Sequence, residues 1–269
     1  MILNETKIQE AKSIVKSCVG DSGVWASPYR YKYQCWTRDF VIAAEDVLLY
    51  DGQFLPVKIH LSELAKRQKS NGQIPIMYLD NIPRWLWIKI RNSIRERRMS
   101  FLLKAFLSKD GVASLSPWTR DSEILFMLGV LKYVDKTKDQ EFLNHLKPNI
   151  ELAFEYVETS LMSNGLVRGA DWRDTRPDLD DKCVLTNNCF LYQIYVTLGE
   201  HERAERLKND LNKQYWTGTY YRDYPGTDEW DTLGNALAIL SGIAPSEYES
   251  LIFKRAEQPW TLVNIIRTG

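Results

Sequence analysis

Apolar residues recur along most of the chain at intervals of three and four, the spacing that puts them on one face of an α-helix. The pattern predicts helices over 4–17, 37–50, 53–69, 84–107, 119–134, 138–161, 183–198, 200–214, 231–243 and 246–257. Strand-type alternation is short and sporadic. Between the periodic segments lie turn-forming clusters: "DSG" at 21, "SNGQIP" at 70, "SKDG" at 108, "SNG" at 163 and "YPGTDEW" at 224. No low-complexity stretch or linker divides them, so the expectation is one all-α domain over 1–269.

The predicted helices are of two kinds. "FVIAAEDVLL", "EILFMLGVL" and "NALAILSGIA" are apolar nearly all round, whereas "EHERAERLKNDLNKQY" has one apolar stripe and many charges. A helix apolar on all sides must be enclosed by protein, and an amphipathic one keeps a wet face. Their alternation predicts inner helices ringed by outer ones, an α/α barrel. In such a barrel the loops entering the inner helices converge on one end of the axis.

Composition narrows the function. Lysine plus arginine and aspartate plus glutamate number 35 each, so no charge excess favours nucleic acid or an anionic membrane. The basic run "KIRNSIRERR" reads as the wet face of a helix. Cys18, Cys35, Cys183 and Cys189 form no metal-binding spacing, and the N-terminus lacks a signal-peptide core. Reduced thiols and a cytoplasmic setting are expected. His60, His145 and His201 are scattered, which argues against a metal centre or a histidine triad. No cofactor is called for.

The tetrad Trp-Thr-Arg-Asp occurs twice, at Trp36–Asp39 and at Trp118–Asp121, each time before an apolar helix. In a barrel both copies would project toward the same end. Arg38 and Arg120 offer forked donors, and Asp39 and Asp121 paired acceptors. Trp36 and Trp118 offer flat apolar faces. Vicinal hydroxyls backed by the C–H face of a pyranose call for this combination. The other reading is helix capping, with Thr37 and Thr119 as N-caps and the aspartates favoured by the helix dipole.

"YKYQCWTRDFVIAAEDVL" resembles the aromatic-rich segment of glucoamylases, neutral invertases and the glucosidase domain of glycogen-debranching enzymes. Further segments agree in order: "LAKRQKSNGQIP", "PWTRDSEILFMLGVLKYVDKTKDQEFL", "SNGLVRGADWRDT" and "DEWDTLGNALAILSGIA". The resemblance covers residues 25–245. It implies a six-hairpin α/α barrel that hydrolyses an α-glucosidic or similar bond with inversion. It assigns Trp36, Arg38, Asp39, Arg120 and Asp121 to the sugar pocket, and Asp174, in the Trp-x-Asp step of "DWRDT", to proton donation. Asp171 is the rival acid; Trp172 would supply an apolar wall and Asp171 a like charge, either of which raises an acid's pKa. "DWRDTRPDLDDK" also reads as a solvated acidic turn, and it lacks the glycine and final glutamate of an EF-hand loop.

Inversion needs a second carboxylate about 6.5–9.5 Å from the acid. In the resembling enzymes it lies late in the chain, and here the closing segment offers Glu257. With about ten helices rather than twelve, three readings stay open: a shortened or fragmentary barrel, recruitment of Glu257 as base, or a protein that binds carbohydrate without cleaving it. An epimerase on the same barrel would want pocket histidines. An unclosed barrel would expose apolar surface and favour self-association.

Overall fold

The computed structural model describes residues 5–96, 113–114, 118–173 and 176–257. In chain order the elements are α1 (Glu5–Ser17), β1 (Gln34–Trp36), α2 (Thr37–Asp39), a π-helical turn (Phe40–Ala44), α3 (Glu45–Tyr50), α4 (Phe54–Lys66), β2 (Met77–Leu79) and α5 (Ile82–Glu96). Then follow β3 (Ala113–Ser114), α6 (Ser122–Thr137), α7 (Gln140–Tyr156), a second π turn (Val157–Leu161), β4 (Met162–Ser163) and β5 (Leu166–Val167). A short 3₁₀ turn (Pro177–Leu179), α8 (Leu185–Thr197), α9 (His201–Gln214), α10 (Thr232–Leu240) and α11 (Ser246–Ala256) complete the order. Each predicted helix has its counterpart; residues 97–107 of the fourth lie outside the described residues. No described helix is long and apolar enough to cross a membrane.

The chain forms two compact units. Unit 1 holds Met1–Leu115 with Lys132–Ile150, and unit 2 holds Ser116–Leu131 with Glu151–Gly269.

Unit 1 is built around α4, which buries Val57, His60, Leu61, Leu64 and Ala65 on one stripe. β1, β2 and β3 form a small antiparallel sheet with Trp36 opposite Met77 and Met77 opposite Ser114. The π turn interrupts the predicted helix over 37–50, and such a turn widens the backbone spiral and displaces its carbonyls. Lys132 answers one of them: its Nζ donates to the Val41 carbonyl at 3.3 Å and pairs with Asp46 at 2.8 Å. His60 stacks on Phe40 with ring centroids 3.9 Å apart, and its Nδ1 accepts from the Val24 N–H at 3.1 Å. Burial pushes His60 down to about 3, so it packs as a neutral ring.

In unit 2 the start of α6 is enclosed on every side, with Ile124, Leu125, Phe126 and Met127 all buried. α8 is enclosed from Leu185 through Leu191. α9 buries only Ala204, Leu207 and Leu211, the stripe of an outer helix. Both kinds of helix are therefore present. α10 departs from the expectation: Gly234, Asn235 and Ala238 are buried, yet Leu240 is 81% exposed. Close approach concentrates on one face, since a Cβ at Gly234 would stand 2.8 Å from the Leu185 side chain. Apolar composition alone does not reveal that preference.

Candidate functional site

The first tetrad is set in place by its connection to the "SNGQIP" turn. The Thr37 N–H donates to the Ile76 carbonyl at 3.0 Å, and its hydroxyl donates to the Pro75 carbonyl at 2.7 Å. The N-cap of α2 is Trp36, without a side-chain capping bond. Thr37 therefore ties the tetrad to the turn, which corrects its expected role as N-cap. The Trp36 indole N–H donates to Gln34 Oε1 at 3.2 Å, and the Tyr31 ring meets Trp36 edge-on at 6.2 Å. Trp36 and Arg38 are half-buried and Asp39 is exposed.

The second tetrad adopts a different backbone. Trp118–Arg120 is extended and lies beside Gly169–Ala170: the Ala170 N–H donates to the Trp118 carbonyl at 3.0 Å, and the Arg120 N–H donates to the Ala170 carbonyl at 2.8 Å. Trp118 packs on Ala170, Leu179 and Val184. Thr119 sits in this bridge, so α6 begins three residues later, at Ser122, and Thr119 is not its N-cap. Asp121 is buried immediately before that helix. Arg120 reaches Asp180 at 3.4 Å. Its side chain crosses Gly169, where a Cβ would lie 2.0 Å from Arg120 Cγ and where φ is +114°. Both facts require glycine. Unit 2 thus brings Trp118 and Arg120 against the "GADW" segment bearing Asp171 and Trp172.

Asp171 is fully buried and engaged. Its Oδ1 accepts from Arg173 Nε at 2.8 Å and its Oδ2 from Arg173 Nη2 at 2.9 Å. The other side of that guanidinium grips Asp223, at 2.5 Å to Oδ2 and 2.9 Å to Oδ1. Asp231 caps α10, accepting from the Leu233 and Gly234 N–H groups and from the Thr186 hydroxyl at 2.6 Å. Burial pushes Asp223 up to about 6, against the opposing pull of Arg173. Burial, then the Asp171 charge, raises Asp231 as well. Burial disfavours the Arg173 cation, but its bonds to Asp223 and Asp171 outweigh that and hold its pKa above the ordinary value.

Buried asparagines fasten the loops to the helices. Asn187 donates to the Gly169 carbonyl at 3.0 Å, and Asn188 bonds both the Val167 N–H and carbonyl. Asn235 does the same for Tyr221, at 2.9 and 2.7 Å. Sequence reasoning offered Arg173 or Arg176 as the partner of Asp171 and missed Asp223 as the second partner of Arg173. A signal existed: "YYRDY" at 220–224 is a fourth aromatic-led Arg-Asp step, after the two tetrads and "DWRDT".

Asp174 lies outside the described residues. Glu257 is exposed, directly after the last turn of α11, its N–H bonded to the Phe253 carbonyl at 3.1 Å. Among the described residues no cluster of three or more His, Cys, Asp or Glu could hold a metal ion.

No family model matches the chain, and no curated protein matches it. Solved structures do. A rhamnosidase from Klebsiella oxytoca with rhamnose bound matches with TM-score 0.65 at 12% identity, over 96% of this chain and 48% of its own. A glycosidase solved in complex with glucose matches with TM-score 0.60 at 12% identity, over 90% of this chain and 67% of its own. An α-amylase from Clostridium perfringens matches with TM-score 0.57 at 10% identity, over 94% of this chain and 71% of its own. The chain spans as little as 64% of the glycosidase structures it matches, and about half of the rhamnosidase. At such identities the likeness shows the fold: the chain has the all-α, barrel-type fold of these glycosidases.

Proposed function

We propose that the chain is a glycoside hydrolase domain, glucoamylase-like in kind, that cleaves an α-glucosidic or similar small-sugar linkage with inversion. The observation that carries the reading is the backbone bridge between Trp118–Arg120 and Gly169–Ala170, which joins a sugar-binding tetrad to the segment leading into the acid. In this reading residues 1–269 act as one domain. Arg38, Asp39, Arg120 and Asp121 hold sugar hydroxyls through charge-assisted bonds, and Trp36, Trp118 and Trp172 present ring faces. Asp174 protonates the leaving oxygen, and Glu257 is the carboxylate offered for activating water. The engagement of Asp171 supports Asp174 over Asp171, because both Asp171 oxygens are taken up by the Arg173 guanidinium. Four free cysteines fit a reducing, cytoplasmic setting.

The test is a leaving-group comparison. Asp174→Asn is expected to slow cleavage of a disaccharide about 10²–10⁴-fold while sparing a glycosyl fluoride, which needs no protonation. If Asp171→Asn shows that signature instead, the assignment is reversed. The exposed position of Glu257 favours one further reading, a carbohydrate-binding protein without a base. That reading prevails if the parent binds sugars in calorimetry but cleaves neither disaccharide nor fluoride.

A further inference from the structure

Unit 1 carries a groove of about 290 Å³ lined by Tyr33, Pro83, Arg84 and Trp87. Its outer wall is one side of α5: Trp87 stands four residues after Pro83 and three after Arg84, so both neighbour it on the helix surface. Asn81 fixes that first turn by accepting from the Arg84 N–H at 3.0 Å. The inner wall is held as firmly. Tyr33 has φ +66°, a costly conformation for a bulky residue, which persists only when its surroundings enforce it. Its carbonyl accepts from the Asp80 N–H at 3.0 Å, its ring meets Trp25 at 4.9 Å, and Lys32 Nζ stands 5.4 Å from both rings. Trp87, by contrast, is 66% exposed.

We propose that this groove is an additional carbohydrate subsite, taking one pyranose ring of an oligosaccharide against the face of Trp87. The inference rests on the carbohydrate reading above and extends it to a substrate of several sugar units. The volume lies at the low end of small-molecule pockets, about 300–1,000 Å³, a size that suits one sugar ring. The chemistry agrees. Trp87 offers an apolar ring face, the buried Tyr33 lines the inner wall, and Arg84 offers forked donors with no carboxylate among the four lining residues. A ligand must therefore bring an apolar face together with acceptors and no positive charge, as a sugar ring with its hydroxyls does. Tyr33 also lies directly before β1, a strand of three residues that ends at Trp36, so about 10 Å of backbone separates the groove from the first tetrad. That is a distance a short oligosaccharide can span.

The experiment is calorimetric titration of the full chain and of Trp87→Ala, Arg84→Ala and Trp36→Ala with maltose, maltotriose and maltotetraose. Thermal melts check that each variant is folded. The expected result is that Trp87→Ala lowers the ratio of tetrasaccharide to disaccharide affinity about tenfold, and that Arg84→Ala lowers it in the same direction. If both variants keep the parent's ratio while Trp36→Ala loses binding, the groove is not a subsite and the tetrad reading stands. If the parent binds none of the three sugars, both readings fall. If Trp87→Ala instead changes the sedimentation of the sugar-free protein, the groove is a protein contact and the proposal is overturned.

Discussion

Glu45 lies in the core of unit 1, directly after the π turn, with neither carboxylate oxygen hydrogen-bonded among the described residues. Lys132 stands 3.8 Å away, too far for a good hydrogen bond. Burial therefore dominates and pushes Glu45 up to about 8, with the Lys132 charge opposing. The sign follows from proton linkage. A carboxyl whose folded pKa lies above its ordinary 4.5 binds more protons folded than unfolded between those values. Stability is thus fully present below pH 4.5 and is lost as pH rises toward 8. Asp223 adds a slope of the same sign, confined to the interval from 3.8 to about 6. Glu45→Gln should flatten the dependence between pH 6 and 8, making the variant more stable than the parent at pH 8 by a few kcal/mol, at ~1.4 kcal/mol per unit of pKa shift. Urea titrations at pH 5 and pH 8 decide it; equal differences at the two values would show that Glu45 is ionised in the folded protein.

At the level of elements, unit 2 depends on an ion pair that joins two loops. Arg173 lies between Asp171 and Asp223, fifty residues apart from the latter, and all three are buried. Removing the guanidinium takes a charge partner from two buried carboxylates, and breaking a buried pair in this way costs about 3–5 kcal/mol. Arg173→Met should therefore lower the melting temperature by roughly 10 °C. The loss should shrink at acid pH, where Asp223, already raised to about 6, protonates. A loss that is the same at pH 4 and pH 7 would show that the arginine matters through its packing alone. The helices themselves were legible: the capping aspartate of α10 stands in "EWDTLG", one residue before the helix begins, and its local bonds to Leu233 and Gly234 follow from that position. The pairing of Asp171 with Asp223 through Arg173 was not, because nothing within either loop specifies the other.

Across the whole molecule, the thiols report how completely the chain is packed. Cys18, Cys35 and Cys189 are buried, Cys183 is partly so, and burial raises the pKa of each. Thiolate is the reactive form, so the folded protein should react slowly with a disulfide reagent, Cys183 first. Four equivalents should react after denaturation; prompt reaction of all four without denaturant would contradict the packing. The periodicity of apolar residues determined the helical class and the helix positions, because each helix satisfies its own backbone and needs only its local pattern. The repeated tetrad was also plain in the sequence. Tertiary structure decided what the two copies do: Thr37 bonds the Pro75 carbonyl, whereas Thr119 forms a single backbone bridge to Ala170. It likewise decided that Arg173 reaches Asp223, and that Trp87 stays open while Tyr33 is closed in. Identical residues took different roles because the partner that satisfies each buried donor or acceptor comes from a distant segment, and only packing brings that segment within hydrogen-bond reach.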